Sequence, residues 1–343
     1  MDRIWRRAFG WLLGLLLGLG VSARAQVAAM GHTADAQSQT IIRIWGIGPA
    51  SNGTSPVLGI LTKLEDEYRR DHPEVSFVHH LNGNDSAVGG LYVGAADLAL
   101  MDREPSYIEL DGYQQVVTGA KPFEIALMRG GIKFAGHSSP LVVVVNRVNP
   151  VEALSPKQLN AIFNADRPTG DKLVGTWGDV GVQGSWANQP LHVYGFGVET
   201  PEARTFSKTI MRDSRRWVCA YREIRDTGKA SAATRVSDAI VRDRNAIGLT
   251  SLDAVTDGLK IVAISNASGV ASTPGTETLA SGQYQLGRTV MAFAKTRQDG
   301  RVDTFVGIFL AYLLGPRAQA IIAADGHYIR LTDELLLAES EKL

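Results

Sequence analysis

An α/β fold follows from three features of the chain. Short strand-like apolar runs alternate with segments whose apolar residues recur at helical spacing. The valine run at 142–145 suits a strand buried on both faces, as parallel-type sheets require. The 36 glycines and 7% aromatic content fit a turn-rich α/β protein better than a coiled coil or a disordered chain.

Taken in order, Ile41 to Trp45 reads as a strand, and Val57, Leu61, Leu64 and Tyr68 mark a helix over Pro56 to Arg70. Val75 to Leu81 is a second strand, Ser86 to Val93 a short helix, and Asp97 to Met101 a third strand. Glu124 to Arg129 and Leu141 to Asn146 follow as strands. Such alternation predicts parallel βαβ units. Ser155 and Pro156 open a helix, with Ser155 as the cap and Pro156 in the first turn; Leu159, Ile162 and Phe163 form its apolar face. Leu191 to Tyr194 is a strand, Pro201 to Met211 a helix, and Val236, Ala239 and Ile240 mark another helix. Ile247 to Ser251, Lys260 to Ile264 and Thr289 to Ala294 are later strands. A helical stripe of Phe305, Phe309, Tyr312 and Leu313 stops at Gly315-Pro316.

The charge balance needs dissection. The chain has 343 residues, with 35 Lys+Arg against 35 Asp+Glu. Arg3, Arg6 and Arg7 precede the uncharged apolar stretch Phe9 to Val21, and Ala23-Arg24-Ala25 offers a small-residue cleavage site. Residues 1–25 therefore read as a signal peptide, exported by the general or the twin-arginine route, and residues 26–39 as a linker. Cleavage removes Arg3, Arg6, Arg7, Arg24 and Asp2, which leaves 31 basic against 34 acidic residues. A periplasmic or secreted, mildly acidic protein is expected. No basic surplus is available for nucleic acid. The single cysteine, Cys219, excludes an internal disulfide framework and is expected as buried packing.

Three loops could present backbone N–H groups to an anion. Asn52-Gly53-Thr54-Ser55-Pro56 joins the first strand to the first helix, with Gly53 allowing close approach and Thr54 or Ser55 capping. Asn82-Gly83-Asn84-Asp85-Ser86 repeats the arrangement after the second strand. Gly195 to Thr205 is the third, with Thr200 as cap, Pro201 in the first turn and Glu202 already compensating the helix dipole. Ordinary capped helix starts explain each loop equally well. Asp102-Arg103 follows the third strand, at the carboxyl end where open α/β sheets bind ligands, although a surface ion pair would look the same.

In this order the segments resemble the periplasmic phosphate-binding proteins of ABC transporters, over roughly residues 40–335. Gly53-Thr54-Ser55-Pro56 and Gly83-Asn84-Asp85-Ser86 look like the family's first two phosphate loops. Gly94-Ala95-Ala96-Asp97-Leu98-Ala99, followed by Met101-Asp102-Arg103, is similar to its third strand and the polar motif after it. Leu154-Ser155-Pro156-Lys157-Gln158-Leu159 with Ile162-Phe163 and Trp177, Ala246-Ile247-Gly248-Leu249, and Ser281-Gly282-Gln283-Tyr284-Gln285-Leu286 with Arg288 resemble its later motifs. The resemblance implies a type II periplasmic-binding-protein fold, two α/β lobes with a ligand cleft between them. Residues 40–135 plus 260–335 would form lobe 1 and residues 140–255 lobe 2. It further implies reversible capture of inorganic phosphate for an ABC permease in the inner membrane, by a monomer. No cofactor, metal or catalytic group is implied. The ligand-binding set carried over is Gly53, Thr54, Ser55, Asn84, Asp85, Ser86, Asp102, Arg103 and Thr200. Asp102 would accept a hydrogen bond from protonated phosphate and repel sulfate.

The third loop departs from the family pattern. Phe196 stands where the family has an arginine, Pro201 removes an N–H donor, and Glu202 adds a negative charge. Arg103 or Arg204 could compensate. A binding protein for a less charged or larger ligand, or a scaffold or sensor, is the competing expectation. An exported hydrolase has little support: there is no G-x-S-x-G or H-E-x-x-H motif, and His79 and His80 point to opposite faces of a strand.

Overall fold

The computed structural model describes residues 40–49, 53–117, 121–132, 138–166, 173–297 and 299–343. The signal-peptide and linker expectations over residues 1–39, and Asn52 of the first loop, lie outside the described residues.

The first stretch alternates strand and helix: β1 (Thr40–Gly46), α1 (Pro56–Tyr68), β2 (Val75–His80), α2 (Asn84–Tyr92), β3 (Leu98–Met101), α3 (Tyr107–Val116) and β4 (Phe123–Gly130). The middle stretch holds β5 (Leu141–Asn146), β6 (Ala153–Leu154), α4 (Pro156–Phe163), β7 (His192–Phe196), α5 (Pro201–Ile210), β8 (Tyr221–Ile224), α6 (Ala232–Arg242), β9 (Ala246–Ser251) and β10 (Leu259–Ile261). The last comprises β11 (Ala263–Ser265), β12 (Ala271–Ser272), α7 (Thr276–Ala280), β13 (Thr289–Ala294), α8 (Thr304–Leu314), α9 (Pro316–Asp325), β14 (Tyr328–Ile329) and α10 (Asp333–Ser340).

These strands form a six-stranded sheet in the order β14-β4-β13-β3-β1-β2, a five-stranded sheet β10-β5-β9-β7-β8, and a small sheet β12-β11-β6. The expected parallel units are present, with β2 and β3 both parallel to β1, and β8 and β9 both parallel to β7. Both larger sheets are nevertheless mixed. β13 returns from the far half of the chain and inserts antiparallel between β3 and β4, and β5 runs antiparallel to β9 and β10. The strand expected over Lys260 to Ile264 is two strands. Val262 N–H donates to Val143 O while Ala263 N–H donates to Glu152 O, so the chain leaves one sheet for another at that step.

Each larger sheet is covered on both faces. Leu98 and Leu100 of the first sheet pack with Leu61 and Leu64 of α1 and Phe309 and Leu313 of α8, while Ala99 and Met101 face Val88 and Leu91 of α2 and Tyr113 of α3. The valine run divides by parity, as strand geometry demands. Val143 and Val145 join Phe163 and Phe206, whereas Val142 and Val144 join Val236 and Ile240 of α6. Each such side chain contributes about 1.5–3 kcal/mol by leaving water. Leu279, Tyr284 and Leu286 also pack into the second sheet's cluster.

Helix starts follow the capping signals. Ser155 and Gln158 form a reciprocal capping box on α4, and Ser106 and Glu109 do the same on α3. Cys219 corrects an expectation: it is exposed. It occupies the turn closed by Tyr221 N–H to Val218 O, between Trp217 and Tyr221 of the aromatic cluster that also holds Phe163 and Phe206.

Candidate functional site

The end of β1 is locked against the second loop by backbone packing. Gly46 carbonyl accepts from Gly83 N–H at 2.9 Å. A Cβ on Gly46, whose φ is +135°, would lie 1.8 Å from Leu100 O, so only glycine fits this close approach. Gly53 and Thr54 are exposed at the end of the first loop, and Ser55 caps α1 by accepting from Leu58 N–H. Ser86 donates to Gly83 O at 2.8 Å, tightening the turn into α2.

Asp102 lies just beyond β3 and is only 1% exposed. Its Oδ1 accepts from Asn84 Nδ2 at 2.8 Å, and its own N–H donates to Asn84 Oδ1 at 3.2 Å. Its Oδ2 accepts from the Ser138 hydroxyl at 2.7 Å. The buried Tyr328 hydroxyl is held well above its ordinary pKa, chiefly by burial and then by the Asp102 charge. Asn84 therefore spends amide capacity on orienting the carboxylate. Each Asp102 oxygen keeps a further lone pair for a ligand donor.

Arg103 turns the other way. Its guanidinium makes a two-pronged pair with Glu109, both bonds at 2.8 Å, and also meets Asp85. Burial alone would raise the Glu109 pKa, but Arg103 and the Ser106 N–H outweigh it and hold the carboxyl low. Arg103 thus anchors the segment that presents Asp102. Asp85, 96% exposed, sits at its rim.

At the third loop, Thr200 caps α5 by accepting from Ala203 N–H. Phe196 is 4% exposed and packed into the second sheet's core. Glu202 instead meets Arg288 at 3.2 Å, and Arg288 also donates to Thr205 Oγ1 at 3.0 Å. Arg288 immediately precedes β13 and its side chain is only 3% exposed. It neighbours the Asp102 network. A Cβ built on Gly130 would lie 2.0 Å from Ser138 O and 3.5 Å from Arg288 Cβ, which places both on one side of that glycine. Lys208 of α5 pairs with Glu104, two residues beyond Asp102.

Asn84 and Asp102 are thus in direct contact, and Asp85 and Arg103 form a flanking pair. Ser86 tightens the turn into α2 beside them; Ser55, after the exposed Gly53 and Thr54, caps α1, and Thr200 caps the helix that carries Glu202. Sequence reasoning misses the placements of Ser138 and Arg288. The buried cation that meets the third loop's Glu202 is Arg288, not Arg103 or Arg204; Arg204 is exposed. An arginine just ahead of an apolar strand is the available signal. Among the described residues, no group of three His, Cys, Asp or Glu side chains could hold a metal ion.

The chain is 26% identical over 280 residues to the phosphate-binding protein PstS of Pseudomonas aeruginosa, covering 81% of each. Its fold is similar to that of an ABC-type phosphate transport receptor from Vibrio cholerae, at TM-score 0.53 and 20% identity over 84% of this chain and 99% of that one. PstS from Borrelia burgdorferi gives TM-score 0.54 at 14% identity, over 85% of this chain and 99% of that one. The two mixed sheets are those of the type II periplasmic-binding-protein fold. The family model for the PBP superfamily domain matches residues 46–317, so the chain belongs to the PBP superfamily.

Proposed function

We propose that this protein is an extracytoplasmic solute-binding protein that captures inorganic phosphate, or a related tetrahedral oxyanion, for an ABC permease. The observation that carries the reading is Asp102, a buried carboxylate held by Asn84 and Ser138 at a strand end, beside the N-terminus of α2. Helix N-termini supply partial positive charge and N–H donors to an oxyanion. The carboxylate accepts from a protonated oxygen, which phosphate has at neutral pH and sulfate lacks. The similarity to the Pseudomonas aeruginosa protein supports the same ligand class.

Binding would close two bodies on each other. The first comprises residues 40–135 with most of 260–335, and the second residues 140–255. Residues 276–286 would bridge the two bodies, because α7 lies against β4 and β14 while Tyr284 and Leu286 bond to Leu141 of β5. Isothermal titration with phosphate and with sulfate tests the reading. The expected result is saturable one-to-one phosphate binding with a raised Tm, and much weaker sulfate binding. No heat and no Tm shift with phosphate rejects it. Phe196 and Glu202 favour a second reading, a different ligand on the same fold; a co-purified mass other than phosphate in native mass spectrometry would establish it.

A further inference from the structure

We propose that Glu202 is a built-in counter-anion on Arg288, which an arriving oxyanion displaces, and that Arg288 supplies the guanidinium of the site. The inference rests on the phosphate-type reading above and names its charge selection. Three observations lead to it. Phe196 is sealed in the core, so its position offers no cation to the cleft. Arg288 is brought to the first turns of α5 from another part of the chain, where it meets Glu202 and Thr205, buried beside the Ser138 segment that holds Asp102. Glu202 reaches it from the first turn of α5 and is itself 20% exposed, so it can swing to solvent while Arg288 cannot.

The exchange has a charge consequence. A buried guanidinium needs a hydrogen-bonded anion, and Glu202 satisfies that need in the ligand-free protein. A monoanion that replaces Glu202 swaps one charge for another and gains little. A dianion brings a second charge and more acceptor oxygens, which guanidinium N–H groups and the Thr205 hydroxyl can meet. The site is therefore selective for a dianionic tetrahedral group, with Glu202 setting the threshold. Asp102 then separates protonated from unprotonated dianions.

The test compares purified wild type, Glu202→Gln and Arg288→Gln by titration with phosphate, sulfate and perchlorate. Circular dichroism and thermal unfolding check that each variant is folded. Glu202→Gln removes the competing charge and is expected to bind phosphate about 10- to 100-fold tighter, the range for losing one charge-assisted hydrogen bond. It also gains measurable perchlorate binding. Arg288→Gln is expected to lose phosphate affinity by at least that factor. If wild type binds phosphate and Glu202→Gln binds it equally or more weakly, the exchange is refuted and the phosphate reading stands. If neither wild type nor Glu202→Gln binds phosphate, both fail. Should Arg288→Gln not fold, Glu202→Gln still decides between these outcomes by itself.

Discussion

Removing Glu109 should cost far more than removing Asp85, although both contact Arg103. The Arg103 side chain is 8% exposed and its Nε is buried without a partner, so the guanidinium depends on Glu109 for compensation. Breaking a buried pair by deleting one partner costs about 3–5 kcal/mol. Because Asp85 remains on Arg103, the lower end applies, near ~3 kcal/mol. Glu109 also accepts from Ser106 N–H at 2.6 Å as half of the α3 capping box, and losing a cap costs about 1 kcal/mol. Glu109→Ala is therefore expected to lose about 3–4 kcal/mol, which lowers Tm by roughly 5–6 °C for a chain of this size. Glu109→Gln keeps an oxygen for the cap and should fall between wild type and Glu109→Ala. Asp85→Ala should leave Tm unchanged, because that carboxylate is almost fully solvated. Differential scanning calorimetry of the three variants checks the ordering. Equal losses for Asp85→Ala and Glu109→Ala would refute the claim that burial, rather than the number of partners, sets the energy of this cluster.

Other outcomes follow from the same geometry. The Glu109 carboxyl is held low in the folded protein, so its stabilisation is present above the unfolded pKa of about 4.3 and is lost as pH falls through the folded value. Acid unfolding of Glu109→Gln should accordingly show a weaker pH dependence below that point than wild type. Phe196→Arg, which restores the residue type of the resembled family, should destabilise the second sheet by several kcal/mol through burial of a charge, without raising phosphate affinity; urea unfolding with titration reads both. Gly46→Ala places a Cβ against Leu100 O and forces a positive φ on an L-residue, so soluble yield and Tm should both fall sharply. Cys219 should react with a thiol reagent in the native protein as completely as in denaturant; protection in the native state would contradict its exposed turn.

The sequence is most legible where local chemistry and burial agree. Ser155-Pro156 announces α4 with its cap and first turn, and the valines of β5 announce a strand buried on both faces. Helix α3 has the Ser106–Glu109 capping pair but no apolar stripe to go with it: Tyr113 is its one buried residue, while Tyr107 and Ile108 face solvent. The break at Val262 is illegible because periodicity records burial, not which sheet a residue joins. At the site, loop chemistry locates Asn84 and Asp102, which lie beside turn and strand-end signals. Ser138 and Arg288 are invisible for a different reason. Their partners Asp102 and Glu202 are 36 and 86 positions away, and no local pattern encodes a pairing across that distance.

The glycine contacts behind the first two loops bear on how a new ligand preference could arise. Gly46 abuts Leu100 O, and a Cβ on Gly48 would lie 3.0 Å from Gly83 N. The end of β1, the start of the second loop and the strand leading to Asp102 are thereby cast as one block, with no room for a side chain at Gly46. On the proposed reading, variation that keeps the protein folded is channelled to the start of α5, where the Glu202 and Thr205 side chains meet Arg288. Retuning the proposed anion site by mutation would then run through that side of it, and positions 202 and 205 are where a library aimed at other anions should begin.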